Sequence, residues 1–168
     1  MAALFALDLS RVIAAGHSAG GHLALWLAAR HHLSAHSPLS SPNPIPIIGV
    51  LGLAALADLP AAVQLDLCGN AIPALIGGHP EDMPLRYSDA SPAAHFPLGV
   101  PHRHLVGAHD PIVPPSYLTH ALVRASHEAQ LSVIPDAGHF EVVDPRCAAW
   151  DAVRQAISGL LNREPVAA

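Results

Sequence analysis

The stretch that most limits how this chain can fold is Gly16-His17-Ser18-Ala19-Gly20-Gly21. It lies between the β-prone run Val12-Ile13-Ala14-Ala15 and the helix-forming run Leu23-Ala24-Leu25-Trp26-Leu27-Ala28-Ala29. A G-x-S-x-G pattern between strand and helix requires a turn sharp enough to hold its serine in a strained conformation with the hydroxyl projecting off the sheet. Glycines at 16 and 20 are expected to remove Cβ atoms that would collide where strand and helix cross. Ala19 opens the helix, where its backbone N–H can meet a developing oxyanion at the positive end of the dipole. Ser18 is therefore the candidate nucleophile and Ala19 the candidate oxyanion donor, with Gly16, His17 and Gly20 forming the elbow.

Around this turn the chain alternates apolar runs with helical ones. A strand is expected over 11–15, a helix apolar nearly all round to about His31, a Ser/Pro/His-rich loop over 32–44, and a buried strand over 45–55. Residues 57–97 are read as an insertion over the sheet, with short helical pieces at 59–67 and 71–76. A strand at 102–106, a helix at 115–129, a strand at 131–134 and a helix at 145–161 follow, and residues 2–7 could end a preceding helix. Strand-helix alternation of this kind implies an α/β fold with a parallel sheet of about four strands joined by right-handed crossovers. At 168 residues a single domain is expected, spanning 1–164 with a short tail at 165–168.

Three loops leave the carboxyl ends of three of these strands, the edge where catalytic groups collect in open α/β sheets. They carry Ser18, Asp110 and His139, in the order nucleophile, acid, base. Serine attacks poorly until an imidazole takes its proton, and a buried carboxylate holds that imidazole in the right tautomer. Asp58, after the second strand, is a rival acid, whereas Asp136, Glu141 and Asp144 lie too close to His139 along the chain and read as turn or capping residues. His17 and His22 flank the serine but are expected to point away from it, as packing or pocket lining. Of the 13 histidines, His31, His32, His102 and His104 lack cysteine or carboxylate partners at metal-ligand spacing, so they read as solvated or capping groups and no metal is expected. The proposed chemistry calls for no organic cofactor.

Composition excludes several classes. The formal net charge is −5 and all eight basic residues are arginine, so there is no basic patch for nucleic acid. The apolar run 45–57 is interrupted by Pro46 and too short to span a bilayer. The first nine residues lack a charged leader, so a cytoplasmic location is expected. Cys68 and Cys147 are expected to be free, buried thiols. Apolar residues make up 51% and charged residues 12%, against about 25% charged in an ordinary globular protein. Such a chain buries more than usual or leaves apolar surface for a partner.

The combination resembles the α/β-hydrolase fold, and within it the esterase/lipase branch that includes arylformamidase-like and feruloyl-esterase-like enzymes. The resemblance rests on Asp8-x-x-Arg11-Val12, the elbow from Gly16 to Ala24, Leu75-Ile76-Gly77-Gly78-His79-Pro80-Glu81 and Tyr87-Ser88-Asp89-Ala90-Ser91-Pro92. It rests further on Gly107-x-x-Asp110-x-x-Val113-Pro114 and Gly138-His139-Phe140. It implies a serine hydrolase that cleaves a small acyl ester, or an aryl formamide, through an acyl-serine. It also implies that the chain corresponds to the C-terminal half of the fold. No His-Gly-Gly loop for the second oxyanion donor precedes Ser18, and the nucleophile strand is expected at an exposed edge. The alternative expectation is a weakly active or inactive fragment that associates, for instance as a homodimer, through that open edge.

Overall fold

The computed structural model describes Phe5 and residues 7–162. Four parallel strands, β1 (Ile13–His17), β2 (Gly49–Leu53), β3 (His102–Gly107) and β4 (Ala129–Ile134), form one sheet in the order β1-β2-β3-β4. Helix α1 (Ala19–Ala29) follows β1. Helices α2 (Leu59–Gln64), α3 (Ala71–Ile76) and α4 (Pro84–Ala90) lie between β2 and β3, α5 (Pro115–Ala121) precedes β4, and α6 (Ala149–Leu161) ends the described chain. Parallel neighbours require such crossovers, because a tight hairpin would reverse the strand.

Strand register decides which face each helix covers. Ile13 pairs with Gly49 and Gly16 with Gly52, so Gly16 and Gly49 look to opposite faces. A Cβ on Gly16 would strike the Gly20 carbonyl at the start of α1, and one on Gly49 would come within 2.9 Å of Leu160 in α6. Helices α1 and α6 therefore sandwich the sheet. Every residue of β2 is buried, as a continuous apolar run between two layers should be. Val50, Leu51, Leu25 and Val106 are fully shielded from solvent, each contributing about 1.5–3 kcal/mol of burial.

Among the described residues strand β1 has only β2 as a neighbour, and Ala15 is exposed, so the strand that leads to Ser18 is an edge there. Helix α1 is apolar on all sides, yet Leu23 and Leu27 are 56% and 38% exposed.

The region 57–97 folds into three short helices packed on the α1 side. His22 Nε2–H donates to the Ala90 carbonyl at 2.8 Å and Trp26 Nε1–H to the Asp89 carbonyl at 2.9 Å. α4 was not expected from sequence, because a seven-residue helix shows less than two turns of periodicity. Several boundaries differ for local reasons. β2 starts at Gly49 rather than 45, since Pro44 and Pro46 have no N–H to donate to a ladder. The helix expected over 115–129 stops at Ala121, and the 3₁₀ stretch Val123–Glu128 is broken by Ser126 at φ 54°. The last helix begins at Ala149, because Asp144 binds both the backbone and the guanidinium of Arg146 and makes a turn of what precedes it. The helix end expected at 2–7 and the tail at 165–168 fall outside the described residues, apart from Phe5 and Leu7.

Two expectations about side chains are corrected. Cys68 and Cys147 are free thiols, but Cys68 is exposed and Cys147 half-buried, because both sit in turns rather than in the core. His102 and His104 are not solvated. Both are completely buried in β3, where His102 Nδ1 and His104 Nε2 share a 2.8 Å hydrogen bond. His104 faces Gly52 of β2, where a Cβ would sit 3.0 Å from its Nδ1, so the absent side chain leaves room for the ring, and His102 stacks on Phe96.

Candidate active site

At the end of β1 the backbone turns as the G-x-S-x-G pattern requires. Ser18 has φ 53° and ψ −119°, a left-handed conformation costly for a residue with a Cβ. It is held by Ser18 N–H donating to the Leu53 carbonyl at 2.8 Å and His22 N–H donating to the Ser18 carbonyl at 3.0 Å. Close approach falls at Gly16, against Gly20, and at Gly21, where a Cβ would lie 2.6 Å from that of Ala55. Gly20 itself has open space at its Cβ position, contrary to the sequence expectation: the crossing point is one residue further into the helix. Ala19 is exposed at the first position of α1, where N–H groups lack intrahelical acceptors.

Asp110 and His139 meet across the loops that follow β3 and β4. The loops are laced by Ala108 N–H to the Ile134 carbonyl and His109 N–H to the Ala137 carbonyl. A Cβ on Gly107 would strike the Ala137 and Gly138 carbonyls, so the glycine permits the approach. His139 Nδ1–H donates to Asp110 Oδ2 at 2.7 Å, with both residues 5% exposed. The other carboxylate oxygen accepts from the N–H groups of Ile112 and Val113, each at 2.8 Å. This buried carboxylate is thus engaged at both oxygens, an arrangement that fixes the tautomer of His139.

The rival acid is occupied elsewhere. Asp58 Oδ1 caps α2 by accepting from Ala61 N–H at 3.1 Å, and its backbone is pinned at both ends by the Tyr117 hydroxyl. Burial pushes that hydroxyl's pKa up. Glu141 accepts from Gly138 N–H and Asp144 binds Arg146, the turn roles expected of them.

Ser18 reaches the same rim through its neighbour. His17 Nε2–H donates to the His139 carbonyl at 2.8 Å, and the two rings lie 4.5 Å apart. The expectation that His17 points away from the site is corrected: the turn at Ser18 carries its ring onto the histidine loop. Among the described residues the Ser18 hydroxyl makes no hydrogen bond, to His139 or to any other group. Among the described residues, no group of three or more His, Cys, Asp or Glu side chains could hold a metal ion. No helix among them is long and apolar enough to cross a membrane.

A family model, BD-FAE, for an esterase domain of the α/β-hydrolase type, matches residues 1–122. The chain belongs to the BD-FAE family. The match takes in the elbow and Asp110 and ends before His139. No curated protein matches the sequence. Among solved structures, a truncated form of a carbohydrate esterase from gut microbiota superposes with a TM-score of 0.74 at 17% identity, over 96% of this chain and 64% of that one. A thermophilic esterase from the Planctomycetes species Thermogutta terrifontis gives 0.63 at 18% identity, over 90% and 56%. Acetyl xylan esterase 1 from Thermoanaerobacterium sp. gives 0.60 at 22%, over 92% and 47%. These likenesses show that this BD-FAE chain has the α/β-hydrolase fold, and that it spans less than two thirds of each of those proteins.

Proposed function

We propose that the chain is a carboxylesterase-type serine hydrolase acting on a small acyl ester. In this reading Ser18 Oγ attacks the ester carbonyl carbon as His139 Nε2 takes the hydroxyl proton, and Asp110 stabilises the imidazolium. The Ala19 N–H, at the head of α1, meets the oxyanion. His139 returns the proton to the departing alkoxide, leaving an acyl-serine. Water then attacks the acyl carbon, His139 taking its proton, and the acid leaves as Ser18 is restored. An aryl formamide is the other substrate class the elbow and loop motifs suggest.

The observation that carries this reading is the buried His139–Asp110 hydrogen bond beside a serine held at φ 53°. A fluorophosphonate probe is expected to label the protein and to spare the Ser18→Ala variant. A screen of short p-nitrophenyl esters beside an aryl formamide, with the same control, identifies the substrate class. A folded sample that the probe leaves unlabelled overturns the assignment.

A second reading has its own support. Among the described residues, nothing covers the open edge of β1 or the exposed Leu23 and Leu27 beside it. In that reading the isolated chain is a weakly active or inactive fragment, completed when a second copy pairs along β1. Sedimentation of the purified protein distinguishes the two: a monomer that turns over ester removes the second reading.

A further inference from the structure

His17 is the elbow residue whose side chain grips the histidine loop. It stands at the carboxyl end of β1, and its Nε2–H donates to the backbone carbonyl of His139, 122 residues later, at 2.8 Å. Its ring packs on the His139 ring at 4.5 Å, tilted by 54°, and on the Phe140 ring at 5.7 Å. A carbonyl oxygen only accepts, so Nε2 carries a hydrogen whatever the charge on the ring. His139 is therefore held at three places: Nδ1 by Asp110, its carbonyl by His17, and one ring face by His17. One hydrogen bond at Nδ1 would leave the imidazole free to swing about that bond. The second anchor removes that freedom.

We propose that His17 is a positioning residue: by holding the carbonyl and a ring face of His139, it sets the distance between that imidazole and the hydroxyl of Ser18, the next residue in the chain. The inference rests on the Ser18–His139–Asp110 reading and deepens it. His17 and Ser18 are joined by one peptide bond, so the group that holds the base and the group that carries the nucleophile shift together when the loops move. The titratable groups facing His17 are the His139 ring and the Asp110 carboxylate. Burial lowers the His17 pKa, and the like charge of His139 acts in the same direction, against the carbonyl hydrogen bond and Asp110. A neutral His17 puts no positive charge against the imidazolium that forms on His139, whereas a protonated one opposes it.

Two variants separate the donor from the ring. His17→Phe keeps an aromatic ring without an N–H, and His17→Gln keeps an N–H donor without the ring. On a short p-nitrophenyl ester, kcat of His17→Phe is expected to fall roughly ten- to a hundredfold with KM within about twofold, the scale of a misplaced catalytic group. His17→Gln is expected to recover most of the loss. In parallel, the low-field proton resonance of the His139 Nδ1–H to Asp110 hydrogen bond should broaden in His17→Phe and persist in His17→Gln. A purely structural role would move the thermal midpoint and leave kcat of the folded protein and this resonance as they were. A folded His17→Phe with unchanged kcat and resonance overturns the proposal, as does equal loss in both variants. His17→Ala serves the same comparison should phenylalanine not be accommodated. If the wild type shows no turnover that Ser18→Ala abolishes, the hydrolase reading itself has failed, and the resonance alone decides whether His17 holds His139.

Discussion

Two buried histidine pairs occupy this small sheet, and they differ in their partners. At the rim, His139 gives its Nδ1–H to a carboxylate at 2.7 Å. Inside β3, His102 and His104 share a single hydrogen bond at 2.8 Å, which leaves His102 Nε2 and His104 Nδ1 buried without a hydrogen-bond partner. The lengths are nearly the same and the chemistry is opposite. Asp110 supplies a negative charge that holds the His139 proton on Nδ1. The interior pair has no such charge. Burial pushes His102 down to about 4, and burial with the neighbouring ring pushes His104 down to about 3, so both rings stay neutral. Burial alone does not set what a histidine can do. The partner decides.

The strongest test of that contrast removes the charge and keeps the shape. Asp110→Asn should lower kcat on a turned-over ester by about 10⁴-fold, because an amide can stabilise the wrong tautomer and no cation. The thermal midpoint should change little. Equal activity in Asp110→Asn and wild type would break the comparison at the rim.

Next comes the glycine that lets the rim pair meet. Gly107→Ala places a Cβ against two backbone carbonyls and should cost about 3 kcal/mol, read by urea unfolding. Gly20→Ala, with open space around it, serves as the control and should be close to neutral.

The interior pair should show itself in acid. In the unfolded chain its histidines titrate near 6.5, and in the folded protein near 4 and 3. Below about pH 6.5 the unfolded state therefore binds more protons, and stability falls as pH falls until the folded values are passed. The double variant His102→Phe, His104→Leu should flatten this acid slope in urea midpoints measured from pH 7 to 4. It should not destabilise at neutral pH by more than about 1 kcal/mol, since both polar partners leave together. A slope unchanged by the double variant would show that other groups govern acid unfolding.

The smallest effect is expected from the rival acid. Asp58→Ala removes the cap of α2 and should cost about 1 kcal/mol without altering kcat. Loss of activity there would reopen the choice between Asp58 and Asp110.

What the sequence determined by itself is what short-range sterics and patterning control. The strand-turn-helix around Ser18 was legible, because glycines at fixed offsets from a serine between apolar runs admit few backbone paths. The parallel four-stranded sheet was legible because buried strands and helices alternate along the chain, whereas the edge position of β1 was implied only by the resemblance to the C-terminal half of the α/β-hydrolase fold. Asp110 and His139 could be named from the loops that carry them, though the choice over Asp58 leaned on loop context alone. The tertiary structure decided whatever depends on residues far apart in the chain. It brought Asp110 and not Asp58 to His139, set His17 against a carbonyl 122 residues away, and sealed His104 into the space at Gly52. A side chain's partner is fixed by strand register and by which backbone lacks a Cβ nearby, and no local pattern encodes either.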